Sequence, residues 1–164
     1  MINLKDIFKI IYKEKIILEE INSSTLDGIY VKCPDTAPII DVKAGLDTNN
    51  SKKYISILSE ELGHYFTTYG NLTCTRKSYL EKINRDKKEN SARSWAANFL
   101  ISDSDFVNAL NNCVVTYSDV AEYFNVTEEI VNIKVKSIIS DEDKYNSIKD
   151  NFKNKEIQYQ ACSI

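Results

Sequence analysis

The stretch Glu60-Glu61-Leu62-Gly63-His64 carries side chains whose types and spacing suit metal-dependent peptide hydrolysis. It differs from the His-Glu-x-x-His motif only at its first letter. In that motif, residues i and i+4 hold one metal ion from the same face of a helix, and the adjacent glutamate activates a metal-bound water. A glutamate oxygen is also a zinc ligand. Glu60 and His64 could therefore hold the ion, with Glu61 as the base.

The histidine count limits what this chain can build. Since His64 is the only histidine in 164 residues, a site with two histidine ligands from one subunit is excluded. An interpretation without chemistry stays open, because Glu60 and His64 also form an ordinary pair one helical turn apart, worth roughly 0.2–0.5 kcal/mol. Glu61 would then be only a solvated side chain.

A second carboxylate, Glu89, shares the apolar face of a later predicted helix. It stands at helical spacing from Ala92, Ala96 and Phe99, and a carboxylate on a packing face needs a partner. In one account Glu89 lies in the first helical turn, where the helix dipole favours an anion. In the other, this face packs across the helix of His64, and Glu89 supplies a third metal ligand with a position left open for water.

The elements that must position these residues follow from periodicity and turn chemistry. Three β-favouring runs predict a small, antiparallel sheet, at residues 16–18, 28–31 and 39–42. Apolar spacing and capping residues predict helices at residues 3–14, 52–68, 88–101, 105–110, 118–124 and 127–139. The second of these helices carries the motif and the third carries Glu89. A polar, lysine-rich connection is expected between them at 76–88.

Composition narrows the class of protein. With 43% hydrophobic and 27% charged residues, the chain has the make-up of an ordinary globular protein of about one domain's length. Its formal net charge of -3 argues against broad nucleic-acid binding, which needs an excess of lysine and arginine. No run approaches the roughly 18 apolar residues that cross a bilayer, so we expect a cytoplasmic protein without a membrane partner. The four cysteines form no Cys-x-x-Cys pair and are expected to be reduced.

Two segments together resemble a known family. The stretch Ile57-Leu58-Ser59-Glu60-Glu61-Leu62-Gly63-His64-Tyr65, followed by Glu89-Asn90-Ser91-Ala92-Arg93-Ser94-Trp95-Ala96, is similar to the ImmA/IrrE family of metallopeptidases. The resemblance covers roughly residues 25–135. It implies an α+β, minimal gluzincin-like fold with a small antiparallel sheet, helices and a C-terminal helical hairpin. It also implies a zinc ion and cleavage of a phage or mobile-element transcriptional repressor.

The resemblance also implies roles for individual residues. Glu61 matches the catalytic glutamate, His64 the second motif histidine, and Glu89 the glutamate that is the third ligand. Glu60 stands in place of the first histidine, which gives a metal set of Glu60, His64 and Glu89. Exchanging an imidazole for a carboxylate makes the site harder and more anionic, so manganese becomes possible beside zinc.

The C-terminal part resembles a helix-turn-helix fragment over residues 118–131. Asn125 would take the left-handed turn position, and Thr127 would cap the second helix. Because Glu128 and Glu129 open that helix and would repel phosphates, direct DNA binding is not expected. Recognition of a helix-turn-helix repressor as a protein substrate is favoured.

Two functions of different classes remain open, and a transcriptional regulator acting through residues 118–139 is a weaker third. One is a metal-dependent endopeptidase acting on a repressor; the other is a non-catalytic, protein-binding module that retains the metallopeptidase fold. Glu60 separates them, since two ligands without it are too few for a tight catalytic site. A hydroxyl from Tyr65 or Tyr69 could also stabilise an oxyanion. The chain is expected to divide into a metallopeptidase-like core at 1–112, a helical extension packed on it at 113–140, and a polar tail at 141–164.

Overall fold

The computed structural model describes residues 1–22, 25–33, 35–46, 51–68 and 79–153, which form the expected α+β arrangement. Its strands are β1 (Ile17–Ile21), β2 (Gly28–Val31) and β3 (Ile39–Lys43). Its helices are α1 (Leu4–Lys13), α2 (Ser51–Thr67), α3 (Tyr79–Leu100), α4 (Asp103–Asn111), α5 (Tyr117–Phe124), α6 (Glu128–Ile139) and α7 (Glu142–Lys153). Apart from the start of α3, the predicted helices agree with these bounds to within one or two residues.

The three strands form a mixed sheet in the order β1-β3-β2. β3 is antiparallel to β2, with Gly28 opposite Val42, and parallel to β1, with Ile17 opposite Ile39. The prediction of an antiparallel sheet is therefore wrong for the β1–β3 pair. Short apolar runs do not encode strand direction, and here the chain visits the edge strand β2 before it returns between the other two. β2 is left at the edge of the sheet, beside α2.

The core that positions the motif lies between the sheet, α2 and α3. Leu58 and Leu62 of α2 and Ile40 of β3 are fully buried. Ala96 and Ala97 are fully buried on α3. Because α2 buries one side against the sheet and another against α3, the motif residues that follow Ser59 are held between two packed layers.

Helix α3 begins well before residue 88, where the sequence predicts a helix start. Glu89 consequently lies in the interior of a 22-residue helix, and the explanation through the helix dipole at the first turn is wrong. The early turns were missed because residues 84–87 are all exposed, and a solvated helix shows no apolar stripe. An i, i+4 pair between Arg85 Nε and Glu89 Oε1, 3.9 Å apart, spans this part of the helix.

The C-terminal hairpin of α5 and α6 has the predicted turn. Asn125 is left-handed, with φ 53° and ψ 48°, which confirms its assigned position. Thr127 precedes α6 as predicted, but its side chain makes no capping hydrogen bond. Its backbone N–H instead donates to Ser56 Oγ of α2 at 3.1 Å. This bond joins the hairpin to the helix of the motif.

Three remaining expectations concern the cysteines, the tail and membranes. Cys113 is disulfide-bonded, so the prediction of reduced thiols is wrong there, whereas Cys33 is a free, exposed thiol.

Residues 142–153 of the predicted tail form α7, with Ile148 buried, and 154–164 lie outside the described residues. Among the described helices, none has the length and apolar character that a membrane crossing needs.

Candidate functional site

A cleft of about 1020 Å³ opens between β2, α2, α3 and the start of α6. The four residues that the sequence predicts as site residues all line it: Glu60, Glu61, His64 and Glu89. Glu60, Glu61 and His64 come from α2, and Glu89 comes from α3. The packing of the two helices thus brings the two sequence motifs to one place.

His64 and Glu89 face each other across the two helices. Nε2 of His64 lies 3.4 Å from Oε2 of Glu89, and Nδ1 lies 3.4 Å from Thr68 Oγ1. Two ligands of a tetrahedral zinc ion, each about 2.1 Å from it, stand about 3.4 Å apart. Burial lowers the pKa of His64, with Glu89 acting in the opposite direction, and the neutral imidazole is the form that binds metals. This pair therefore fits a divalent cation.

Gly63 allows the helices to come this close. A Cβ placed on Gly63 would lie 2.3 Å from the carbonyl oxygen of Ala92 on α3. Ala92 itself is fully buried, so neither side has room for a larger residue. The glycine inside the motif therefore sets the spacing at which Glu89 reaches His64.

The carboxylate of Glu61 is held against the edge strand β2. A Cβ on Gly28 would lie 2.4 Å from Ile57 Cγ2 and 2.9 Å from Glu61 Oε1, so the absence of a side chain at residue 28 makes room for the Ile57 side chain and for this carboxylate. Burial, together with the charges of Glu60 and Glu89, raises the pKa of Glu61 to about 8, while a hydrogen bond from the Tyr30 backbone acts in the opposite direction. A cation between these carboxylates would lower that pKa and restore the ionised base.

Glu60 is the residue that the structure does not bring to the His64–Glu89 pair. Its Oε2 lies 3.8 Å from Arg93 Nε on α3, and its side chain is 21% exposed. Within the described ranges, no three His, Cys, Asp or Glu side chains converge on one metal position. His64 and Glu89 thus fit a metal as a pair, while Glu60 lines the same cleft but faces a guanidinium.

Of the two tyrosines considered for oxyanion stabilisation, Tyr65 lies in the described part of the chain and is bonded elsewhere. Tyr65 donates its hydroxyl hydrogen to Glu14 Oε2 at 2.9 Å. This bond ties α2 to the end of α1, and Tyr65 does not line the cleft. Tyr69 lies outside the described residues.

Comparison with known proteins gives one clear result. The chain matches the family described as the IrrE N-terminal-like domain, a peptidase family, over residues 12–136. The chain belongs to the IrrE N-terminal-like domain family. The matched region runs from the end of α1 to α6 and includes both the motif on α2 and Glu89 on α3. Neither the curated proteins nor the solved structures gave a match.

Membership of the IrrE N-terminal-like family supports a metallopeptidase-type function for this chain. It confirms the resemblance found in the sequence and the α+β class.

Sequence reasoning missed two contributors to this cleft. Arg93 was quoted only as part of a motif, although it follows Glu89 by one helical turn and lies on the same side of α3. The hydrogen bond from the Tyr30 backbone to Glu61 had no signal in the sequence, because it depends on where the edge of the sheet meets α2.

Proposed function

We propose that this chain is a metal-dependent endopeptidase that cleaves a helix-turn-helix transcriptional repressor of a phage or mobile element. The observation that carries the proposal is the His64–Glu89 pair, 3.4 Å apart, beside the buried carboxylate of Glu61 in an open cleft. The chain's membership of a peptidase family supports the same reaction class.

Each residue has a role in the proposed reaction. His64 and Glu89 would hold the ion, with Glu60 as the third ligand, and zinc is proposed ahead of manganese. When bound, the ion supplies Lewis-acid polarisation of the scissile carbonyl and a more acidic water. Glu61 accepts a proton from the attacking water on a carboxylate oxygen and then donates it to the nitrogen of the leaving amine. The Tyr30 backbone keeps that carboxylate in place.

The shape of the cleft supports a polypeptide substrate. Residues of β2 line one side, and an edge strand can accept an extended peptide as an additional strand. Thr127 and Glu129, from the segment 113–140, also line the cleft. We propose that this segment, packed on a catalytic core of residues 1–112, recognises the repressor as a protein in the cytoplasm.

Direct DNA contact is not part of this proposal. Glu128 and Glu129 are both exposed at the start of α6, where carboxylates would repel a phosphate backbone. The acidic start of the helix therefore favours a protein partner over DNA.

The reaction can be tested with purified protein, added zinc or manganese, and a purified helix-turn-helix repressor, with fragments identified by mass spectrometry. We expect one defined cleavage that Glu61→Gln reduces by about 100-fold or more while the bound metal is retained. The exposed Glu142→Gln, on α7 and outside both the cleft and the segment 113–140, is the matched control and should cleave normally. Undiminished cleavage by the Glu61 variant would overturn the assignment of the base.

The metal ligands are tested separately by metal content. The purified chain should contain about one metal ion per molecule, because the proposed ligands form a single site. His64→Ala and Glu89→Ala should lose the ion, and Glu60→Ala should weaken it. A full complement of metal in the His64→Ala variant would show that the proposed metal site is wrong.

A non-catalytic, protein-binding module is the second candidate. It is favoured by the orientation of Glu60, whose carboxylate faces Arg93 and not the His64–Glu89 pair. Repressor binding without cleavage, combined with no bound metal after reconstitution, would select this candidate over the enzyme.

A further inference from the structure

Arg93 lies between two carboxylates that belong to two other helices. Its Nε is 3.8 Å from Oε2 of Glu60 on α2, and its Nη1 is 3.2 Å from Oε1 of Glu129 on α6. The side chain of Glu60 is 21% exposed and that of Glu129 is 60% exposed. The guanidinium therefore connects an inner carboxylate, beside the proposed metal ligands, with an outer one at the rim of the cleft.

The two contacts differ in kind. The contact with Glu129 is a hydrogen bond, whereas 3.8 Å to Glu60 is too long for one. In the described part of the chain, the buried Nε of Arg93 has no hydrogen-bond partner. Glu129 thus anchors the guanidinium, and Glu60 is held by charge without a directional bond. A carboxylate held only by charge can leave the guanidinium and bind a metal ion instead.

We propose that Arg93 is a positioning residue that holds Glu60 away from the His64–Glu89 pair and releases it when a divalent cation binds, while Glu129 retains the guanidinium at the rim. The proposal rests on the proposed function in one respect, namely that Glu60 is the third ligand. The free energy of metal binding then includes the loss of the Arg93–Glu60 contact, which weakens the binding.

Two opposite effects on metal affinity follow. Arg93→Gln removes the competing charge, so zinc should bind about 1.5- to fivefold more tightly, the range expected for one partly exposed ion pair. Glu129→Gln removes the anchor, so Arg93 turns fully to Glu60 and zinc should bind more weakly by a similar factor. Arg93→Lys keeps the charge and should remain close to the unaltered protein.

The experiment is titration of the metal-free full chain with Zn²⁺ alone against a chelating dye. The affinity of the unaltered chain is compared with the Arg93 and Glu129 variants, their double variant, and Arg85→Gln. Arg85 is the comparison, because its Nε lies 3.9 Å from Glu89, a different proposed ligand, and its removal takes a positive charge from the same cleft without freeing Glu60. We expect the effect of Glu129→Gln to vanish when Arg93→Gln is present and to persist when Arg85→Gln is present.

A second comparison asks whether Arg93 acts through Glu60. In a Glu60→Gln background, Arg93→Gln should no longer tighten zinc binding. Any tightening by Arg85→Gln acts through Glu89 and should persist in that background. A full effect of Arg93→Gln in the Glu60→Gln background, together with an effect of Glu129→Gln that does not depend on Arg93, would reduce the role of Arg93 to general charge and overturn the proposal.

The possible failures are distinguishable. Zinc binding by the unaltered chain that Arg93→Gln leaves unchanged overturns this inference but leaves the proposed function standing. No zinc binding by any variant overturns both. Binding that appears only in Arg93→Gln supports the inference in its strongest form.

Discussion

Gly63 on α2 lies directly against the backbone of Ala92 on α3, at a separation that leaves no space for a Cβ. The missing side chain lets two helices meet where their facing residues include the proposed ligands. In an open helix, replacing glycine by alanine stabilises the helix by about 1 kcal/mol. At this contact the opposite sign is expected.

Gly63→Ala should destabilise the protein and weaken metal binding together. A Cβ that would lie 2.3 Å from the Ala92 oxygen forces the helices apart, at a cost of about 1–3 kcal/mol, and moves Glu89 away from His64. Urea unfolding and metal content measure the two effects. The exposed Asn90→Ala on the facing helix α3 is the control. A Gly63 variant with unchanged stability would show that the helices can separate without cost.

The contribution of Glu61 to the stability of the metal-free protein should fall as pH rises from about 5 to 8. The pKa of Glu61 is raised from 4.5 to about 8, so its contribution is complete below the unfolded pKa and is lost as pH rises through the folded value. The slope from one such group approaches about 1.4 kcal/mol per pH unit. Urea unfolding in the presence of a chelator measures it, with Glu61→Gln as comparison. Identical pH profiles for the two proteins would contradict the pKa assignment.

A buried ammonium links α6 to two other helices. Removing the ammonium and removing its carboxylate partner should have different effects on stability. Lys134 is fully buried, and its Nζ donates to Asn98 Oδ1 at 2.8 Å and to Asp103. Asp103→Asn leaves this charge buried without its carboxylate and should cost about 1–3 kcal/mol.

Lys134→Met should cost less than Asp103→Asn. It removes the buried charge, and Asp103, 48% exposed, keeps Lys144 at 3.2 Å and contact with water. Urea unfolding at pH 7 compares the two variants, with the exposed Asp150→Asn as control. A larger loss for Lys134→Met would mean that packing of the lysine stem outweighs its charge.

Tyr65→Phe should leave peptide cleavage unchanged. The hydroxyl is engaged with Glu14, away from the cleft, so its loss should cost less than about 1 kcal/mol in stability. The measurement is the cleavage rate alongside the unfolding midpoint. A large fall in rate at unaltered stability would return this tyrosine to the group of catalytic candidates.

The sequence was sufficient to predict which site residues share one face of a helix, because that depends only on their spacing along the chain. The spacing of Glu89 with Ala92 and Ala96 placed it on the side of its helix that packs on α2, and the spacing within the motif placed Glu61 and His64 together. Arg93 was not foreseen, because its partners Glu60 and Glu129 come from two other helices. Pairing across elements depends on how helices dock, which local periodicity does not report.

The fold was predictable to the same extent and for the same reason. Strand and helix positions came from apolar patterns and capping residues, but the parallel pairing of β1 with β3 depends on contacts between distant segments. The turn of α3 at residues 84–87 escaped because its exposed side chains form no apolar stripe.

The strand order indicates the order in which the elements of this chain fold. β2 and β3 are joined by the short connection 32–38 and followed by α2, so their contacts close small loops, whereas β1 must join β3 across the intervening β2. We expect the β2–β3–α2 unit to form first, carrying Glu61 already against Gly28. Docking of α3 then brings Glu89 to His64. Substitutions at Gly28 should therefore slow refolding, whereas those on α3 should mainly accelerate unfolding.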